Sequence, residues 1–256
     1  MSKGRFTIPT DESFVEGTKI IAEKWGADAV RDCDGTKLPE NPGQFGKVYN
    51  TYFVVRGDNE WARKHPEEAQ RIFLLSNRNL ALKETLEIDI MKGFLKDEFD
   101  PDYAYIDLWE VYDRTTGIKH EKWGYNTING LVTIENAIPF HEYTVTFLAR
   151  VTWHPVQIYN YLTNEWTCEK QLTYDPAFPE TREYVKRHME KWCEENPETS
   201  VVRFTTFLYQ FTLIFNNLGK ERQVEWFGYG QTANPVLISD FEKESGIKLT
   251  AEDFVD

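Results

Sequence analysis

The apolar pattern of this chain alternates between helical and strand periods over most of its length, and that alternation points to an α/β architecture. Phe14, Thr18, Ile21 and Trp25 recur at helical spacing, with Thr10 as the expected cap and Asp11 and Glu12 suited to the positive helix end. Gly26 stands where that helix should stop. Ala27 to Arg31 reads as a short strand running into the polar stretch Arg31-Asp32-Cys33-Asp34-Gly35. Beyond a Pro/Gly-rich loop, Val48 to Val55 reads as strand, Arg56 to Arg71 as helix interrupted before Pro66, and Ile72 to Leu75 as strand. Later, Glu142 to Trp153 is the longest strand candidate, ended by His154-Pro155, and Val156 to Leu162 resumes helically. Pro179 to Glu195 reads as helix and Val201 to Phe207 as an apolar strand. Phe211 to Phe215 is another apolar run, and Val236 to Ser245 a helix ending at Gly246.

Residues from about Glu84 to Ala137 differ in kind. Strand-like runs are separated there by Asp113-Arg114-Thr115-Thr116-Gly117 and by Asn129-Gly130. The second pair is expected to form a tight type I′ turn, with positive φ at both residues. This span reads as a hairpin-rich insertion in a parallel α/β pattern of roughly four or five αβ units, too few to close an eight-stranded barrel.

Composition narrows the function. The formal net charge of −13 disfavours nucleic acid, because neutralising a phosphate backbone needs a basic face. A few local arginines can still build a pocket for a small anion. Three cysteines, at positions 33, 168 and 193, form no CxxC pair, so neither a disulfide framework nor a zinc site is expected. None of the five histidines has another His or a Cys at ligand spacing, and no metal is expected. The N-terminus lacks a signal-peptide core and no run approaches a membrane span, which favours a reducing cytoplasm. Aromatics reach 15% of the chain, enough to supply flat faces for sugar rings as well as core.

In a parallel α/β fold chemistry sits where strands end. Arg31, Asp32 and Asp34 cluster at one such end, and either hold sugar hydroxyls or an anion or form a salt-bridged turn. Trp153-His154-Pro155 with Tyr159, Asn160 and Asn164 is a second place, where an Asn amide could donate to and accept from hydroxyls. Arg203 lies inside an apolar strand, a costly position unless the charge is paired or lines a site. Trp226-Phe227-Gly228-Tyr229 follows it. GxGxxG, Walker A, GxSxG and HExxH are all missing from the sequence.

Several longer stretches are similar to the opening of the galacto-N-biose/lacto-N-biose phosphorylases. These are Gly4-Arg5-Phe6-Thr7-Ile8-Pro9, Trp25 through Thr36 and Asp58-Asn59-Glu60-Trp61, then Trp109 through Gly117 and His141-Glu142-Tyr143-Thr144-Val145. Val201 through Phe207 and Glu252-Asp253-Phe254-Val255-Asp256 complete the set. The resemblance implies that residues 1–256 are the N-terminal part of a (β/α)8 TIM-type barrel carrying the insertion at about 84–137, with the rest of the barrel and the C-terminal domains lacking. It implies a hexosyltransferase: inverting phosphorolysis of a β-galactoside to α-galactose 1-phosphate and a free acceptor. Inorganic phosphate is the co-substrate, and no cofactor is implied. The acceptor (N-acetylglucosamine, N-acetylgalactosamine or rhamnose) stays open, as does a homodimer for the full-length protein. By the same resemblance Arg31, with Asp32 and Asp34 beside it, serves galactose or phosphate, and Asn160 contacts the acceptor side or the glycosidic bond. Arg203 and Trp226 would line the pocket, with Tyr229 near the acceptor. No catalytic acid is assigned, since the family's Asp is expected beyond Asp256. His154 departs from the pattern by standing where the family has an Asp. A non-catalytic sugar-binding module and a TIM-barrel glycoside hydrolase remain the alternatives. A partial barrel with an open strand edge is further expected to be poorly soluble, oligomeric or marginally stable alone.

Overall fold

The computed structural model describes residues 6–32, 37–53, 59–94, 99–153, 169, 171–205 and 233–255. In chain order the first half begins with strand β1 (Thr7–Pro9), helix α1 (Val15–Trp25), β2 (Ala29–Arg31), β3 (Lys47–Phe53) and helix α2 (Asn59–Lys64). β4 (Arg71–Leu75), β5 (Asn79–Leu80), β6 (Thr85–Asp89), β7 (Phe99–Pro101), β8 (Glu110–Asp113) and β9 (Ile118–Lys119) follow. The second half holds β10 (Trp123–Asn126), β11 (Leu131–Glu135), β12 (Glu142–Trp153), β13 (Gln171–Leu172), α3 (Pro179–Glu195), β14 (Val201–Thr205) and α4 (Pro235–Ser245).

Two kinds of sheet coexist. β1, β2, β3 and β14 form a parallel sheet in that order. Ile8, Val30 and Val48 bury one of its faces against Phe45 and against Val15, Ile21 and Ala22 of α1. Among the described residues these four strands do not close into a barrel. The remaining strands are antiparallel. β12 is their axis, pairing with β4, β5, β7, β8 and β13, while β10, β11 and β6 make a separate three-stranded sheet. Phe147, Leu148, Val145, Tyr143, Trp109, Ile88 and Ile134 bury the largest core between these layers.

Several local expectations need correction. Asp11 caps the 3-10 turn Glu12–Phe14, its carboxylate accepting from the Ser13 amide, and α1 follows from Phe14 without a side-chain cap of its own. Thr10 is turned inward instead, its hydroxyl 2.8 Å from that of Thr18. Phe14 and Trp25 are exposed, because the face that meets the sheet is Val15, Ile21 and Ala22. Gly26 ends the helix as expected, with φ 68. The helix read as reaching Arg71 stops at Lys64, followed by a 3-10 turn Pro66–Glu68. Arg71 opens β4, where its guanidinium donates to Asp102 at 2.8 Å and to the carbonyls of Pro66, Glu67 and Ala69.

The Asn129-Gly130 turn has positive φ only at Gly130 (71°). Asn126 pairs with Leu131, so four residues close the hairpin rather than two. Asn126 accepts from the Ile128 amide through its side chain and from the Gly130 amide through its carbonyl, leaving one left-handed position. Antiparallel pairing also reaches beyond the 84–137 span, from Arg71 to Leu172, because β12 recruits strands on both sides of it. The Ile72–Leu75 run is thus no part of the parallel sheet. The segments 154–162 and 211–215 lie outside the described residues.

Candidate functional site

Register in the parallel sheet sorts side chains into two sets. Arg31 is level with Tyr49, and Arg203 with Thr51. Alternation along each strand then puts Arg31, Tyr49, Thr51 and Arg203 on the face opposite Val30 and Val48, away from α1. Arg31 is the last residue of β2, at the strand end where a parallel α/β sheet collects ligands, and Arg203 is the middle residue of β14.

Asp32 is the hub of this cluster. It is buried, just past the end of β2. One carboxylate oxygen accepts from the Thr51 hydroxyl at 2.8 Å and the other from the Thr51 amide at 3.1 Å. Arg203 Nη1 lies 3.7 Å from the same carboxylate. The Asp32 carbonyl accepts from Arg31 Nη1 at 3.0 Å and from Arg203 Nη1 at 3.5 Å. Two guanidinium groups from different strands therefore converge on one residue that Thr51 holds still. Each guanidinium has five N–H donors, and these contacts engage a minority of them. Among the described residues one buried carboxylate faces two arginines, an excess of positive charge. The cluster can hold an anion, or the hydroxyls of a sugar, at the sheet's C-terminal end.

Of the residues singled out from sequence, Arg31, Asp32 and Arg203 are thus brought together. Asp34, Asn160, Trp226 and Tyr229 lie outside the described residues, as does His154. The charge inside the apolar strand is paired, as one of its two readings required, yet its partner Asp32 adjoins Arg31 rather than lying apart. Sequence reasoning missed Thr51. Its position on the same strand face as Tyr49 was legible from alternation, but its bond to Asp32, 19 residues earlier, was not.

A cavity of about 520 Å³ opens elsewhere, near the N-terminal ends of β3 and β14, between Asn50, Asn196, Thr199 and Pro42. Glu40, Glu195 and Glu198 outnumber its single Lys37, so it is electrostatically unsuited to an anion. Among the described residues no helix is long and apolar enough to cross a membrane.

A family model described as the lacto-N-biose phosphorylase N-terminal TIM barrel domain matches residues 4–256. A 1,3-β-galactosyl-N-acetylhexosamine phosphorylase of Lachnoclostridium phytofermentans is 45% identical over 99% of this chain and 36% of its own length. A 1,3-β-galactosyl-N-acetylhexosamine phosphorylase of Bifidobacterium longum subsp. longum is 44% identical over 100% of this chain and 35% of its own. A D-galactosyl-β-1→4-L-rhamnose phosphorylase of L. phytofermentans is 38% identical over 100% and 36% respectively. The chain spans about a third of the length of these curated relatives.

Proposed function

The chain belongs to the lacto-N-biose phosphorylase family, and from that premise we propose that it is the N-terminal part of a catalytic TIM-barrel domain that phosphorolyses β-galactosides with inversion. The observation that carries the reading is the convergence of Arg31 and Arg203 on Asp32. A phosphate is already an anionic nucleophile, so it needs no base to activate it, unlike the water of an inverting hydrolase. What it needs is a fixed cationic seat that removes the entropy of encounter and aims one oxygen at the anomeric carbon. Two arginine forks held by a common carbonyl supply such a seat.

In the proposed reaction a phosphate oxygen attacks the anomeric carbon of the galactosyl group as the glycosidic C–O bond breaks. The leaving oxygen takes a proton from a carboxylic acid that the family reading places beyond Asp256. The products are α-galactose 1-phosphate and the acceptor sugar. Asp32 orients both arginines, and Asp34 completes the galactose side. Asn160 contacts the glycosidic or acceptor side, Trp226 lines the pocket, and Tyr229 stands near the acceptor. The relatives' names include hexosamine and rhamnose acceptors, so both classes belong in the test.

That test is product analysis of the protein in its full natural length, incubated with inorganic phosphate and each galactoside. Galactose 1-phosphate supports the proposal. Free galactose points to a hydrolase, and saturable galactoside binding without turnover to a sugar-binding module. In an active protein, Arg203→Lys should raise the KM for phosphate, because an ammonium keeps the charge but loses the planar fork.

A further inference from the structure

Away from the arginine cluster, a second group of side chains gathers where the 3-10 turn Pro66–Glu68 meets the start of α3. His65, Glu68 and Glu180 place one potential ligand atom each within 4.8 Å of one another. His65 Nδ1 is 4.0 Å from a Glu180 oxygen and 3.9 Å from a Glu67 oxygen.

Glu68 is the residue that asks for an explanation. It is only 8% exposed. Among the described residues four other buried carboxylates face a cation or an imidazole: Asp32 meets Arg203, Asp102 meets Arg71, Glu110 meets Lys119 and Asp113 meets His141, while Asp175 accepts from the Ala177 amide. Glu68 accepts instead from the Thr181 hydroxyl, which itself accepts from the Trp61 indole N–H at 2.9 Å. Among the described residues no lysine or arginine pairs with Glu67, Glu68 or Glu180. A buried carboxylate that no lysine or arginine side chain pairs with is costly, and two further carboxylates beside it raise that cost.

We propose that His65, Glu68 and Glu180 form a binding site for a divalent transition metal of the zinc class, with Glu67 as an alternative fourth ligand. The donor set of one imidazole nitrogen and carboxylate oxygens suits Zn²⁺, and a first-row ion with a nitrogen ligand is favoured over Mg²⁺ or Ca²⁺. Two of the ligands are already positioned. The His65 ring stacks on Trp61 at 4.0 Å, and Trp61 stacks on Tyr184 of α3 at 4.0 Å, which fixes the plane of the imidazole. Glu68 is held by Thr181. Supporting contacts of this kind are what orient metal ligands. Zinc–ligand bonds of roughly 2.0–2.2 Å put tetrahedral ligands about 3.3 Å apart, so the group must contract. The Glu180 and Glu67 side chains, 74% and 54% exposed, are free to move inward. The N-terminal end of α3 opposes a cation weakly and locally; the carboxylates outweigh it. Sequence spacing concealed this site, because Glu180 is supplied by a distant helix.

The inference is independent of the phosphorylase reading and needs no activity assay. Titrating the chain with ZnCl₂ in a calorimeter should give one saturable site, which excess MgCl₂ does not block, and a raised unfolding midpoint. Glu180→Gln should weaken Zn²⁺ binding about ten-fold or more, while Glu183→Gln, on the same exposed helix, should leave it unchanged. His65→Gln should do the same as Glu180→Gln. Should that variant unfold, Glu180→Gln decides alone, since its side chain is solvent-exposed. Lack of a saturable site up to millimolar Zn²⁺, or binding that survives Glu180→Gln undiminished, would overturn the proposal.

Discussion

Thr51 fixes both carboxylate oxygens of Asp32, one through its hydroxyl and one through its amide. Thr51→Val keeps the shape and the amide bond but removes the hydroxyl from a buried acceptor. A loss of about 1–3 kcal/mol is expected in urea unfolding, together with weaker binding of phosphate or galactoside at the neighbouring arginines. A change below about 0.3 kcal/mol in stability, with binding intact, would show that Asp32 needs no such support. Asp113 offers a different test. Burial raises its pKa, but hydrogen bonds from His141 and Thr116 and from the amides of Thr115 and Thr116 outweigh that and hold the carboxyl below the usual carboxylate range. A depressed folded pKa means that the unfolded chain takes up the proton first. Stability from this group is therefore present above the unfolded value of about 3.9 and drains away as the pH falls through the lower folded value. Asp113→Asn should flatten the stability profile below about pH 4 relative to the parent, as followed by unfolding at a series of acid pH values.

At the scale of elements, the C-terminal segment 233–255 is tied to the antiparallel sheet by specific polar links as well as by packing on its core. Arg114, beside β8, grips Glu252 with both guanidinium ends at 2.6 and 2.9 Å, and Thr144 of β12 accepts from the same arginine. A capping box between Thr250 and Asp253 shapes the last turn, and Phe254 packs on Phe73 of β4 at 5.0 Å. Arg114 and Glu252 are each 18% exposed at the side chain, so the pair is worth more than a surface bridge. Glu252→Gln should leave the sheets intact and destabilise by about 1–3 kcal/mol. Hydrogen exchange should localise the effect, with amides of 250–255 exchanging faster and those of β12 unchanged. Uniform acceleration across the chain would mean that the segment is no separate unit.

For the whole molecule, β12 is the member on which the antiparallel body depends, since among the described residues five other strands pair with it. Phe147, fully buried at its centre, touches Phe94 and Trp109 edge-on or tilted at 6.0 and 5.6 Å. Phe147→Ala is expected to cost about 3–5 kcal/mol, a large part of the total stability of a domain this size. It should lower the midpoint of the antiparallel body and, if the two bodies unfold together, that of the parallel sheet as well. Two separate transitions in calorimetry would assign each sheet system its own cooperativity. The parallel sheet has the smaller core, around Ile8, Val30, Phe45 and Val48, and should be the first to melt.

What the sequence determined by itself was local. Periodicity located α1, α3, α4, β12 and the hairpins. Gly26 and Gly246 marked two helix ends, and the polar residues at the end of β2 and the charge in β14 marked candidate chemistry. These follow from spacing of 2 or 3.6 residues and from turn chemistry, which neighbours in sequence decide. Tertiary structure alone decided the rest. A strand's partners depend on surfaces brought from far along the chain, so nothing local showed that β4 pairs antiparallel with β12 while β14 returns to β3. Arg71 reads as a helical residue until the carbonyls of the preceding turn and Asp102 surround it. Arg31 and Arg203 are 172 positions apart, and only the parallel register of β2, β3 and β14 makes them neighbours on one Asp32 carbonyl. Long-range pairing is a property of the packed whole, because the buried faces that select it exist only once both partners are in place.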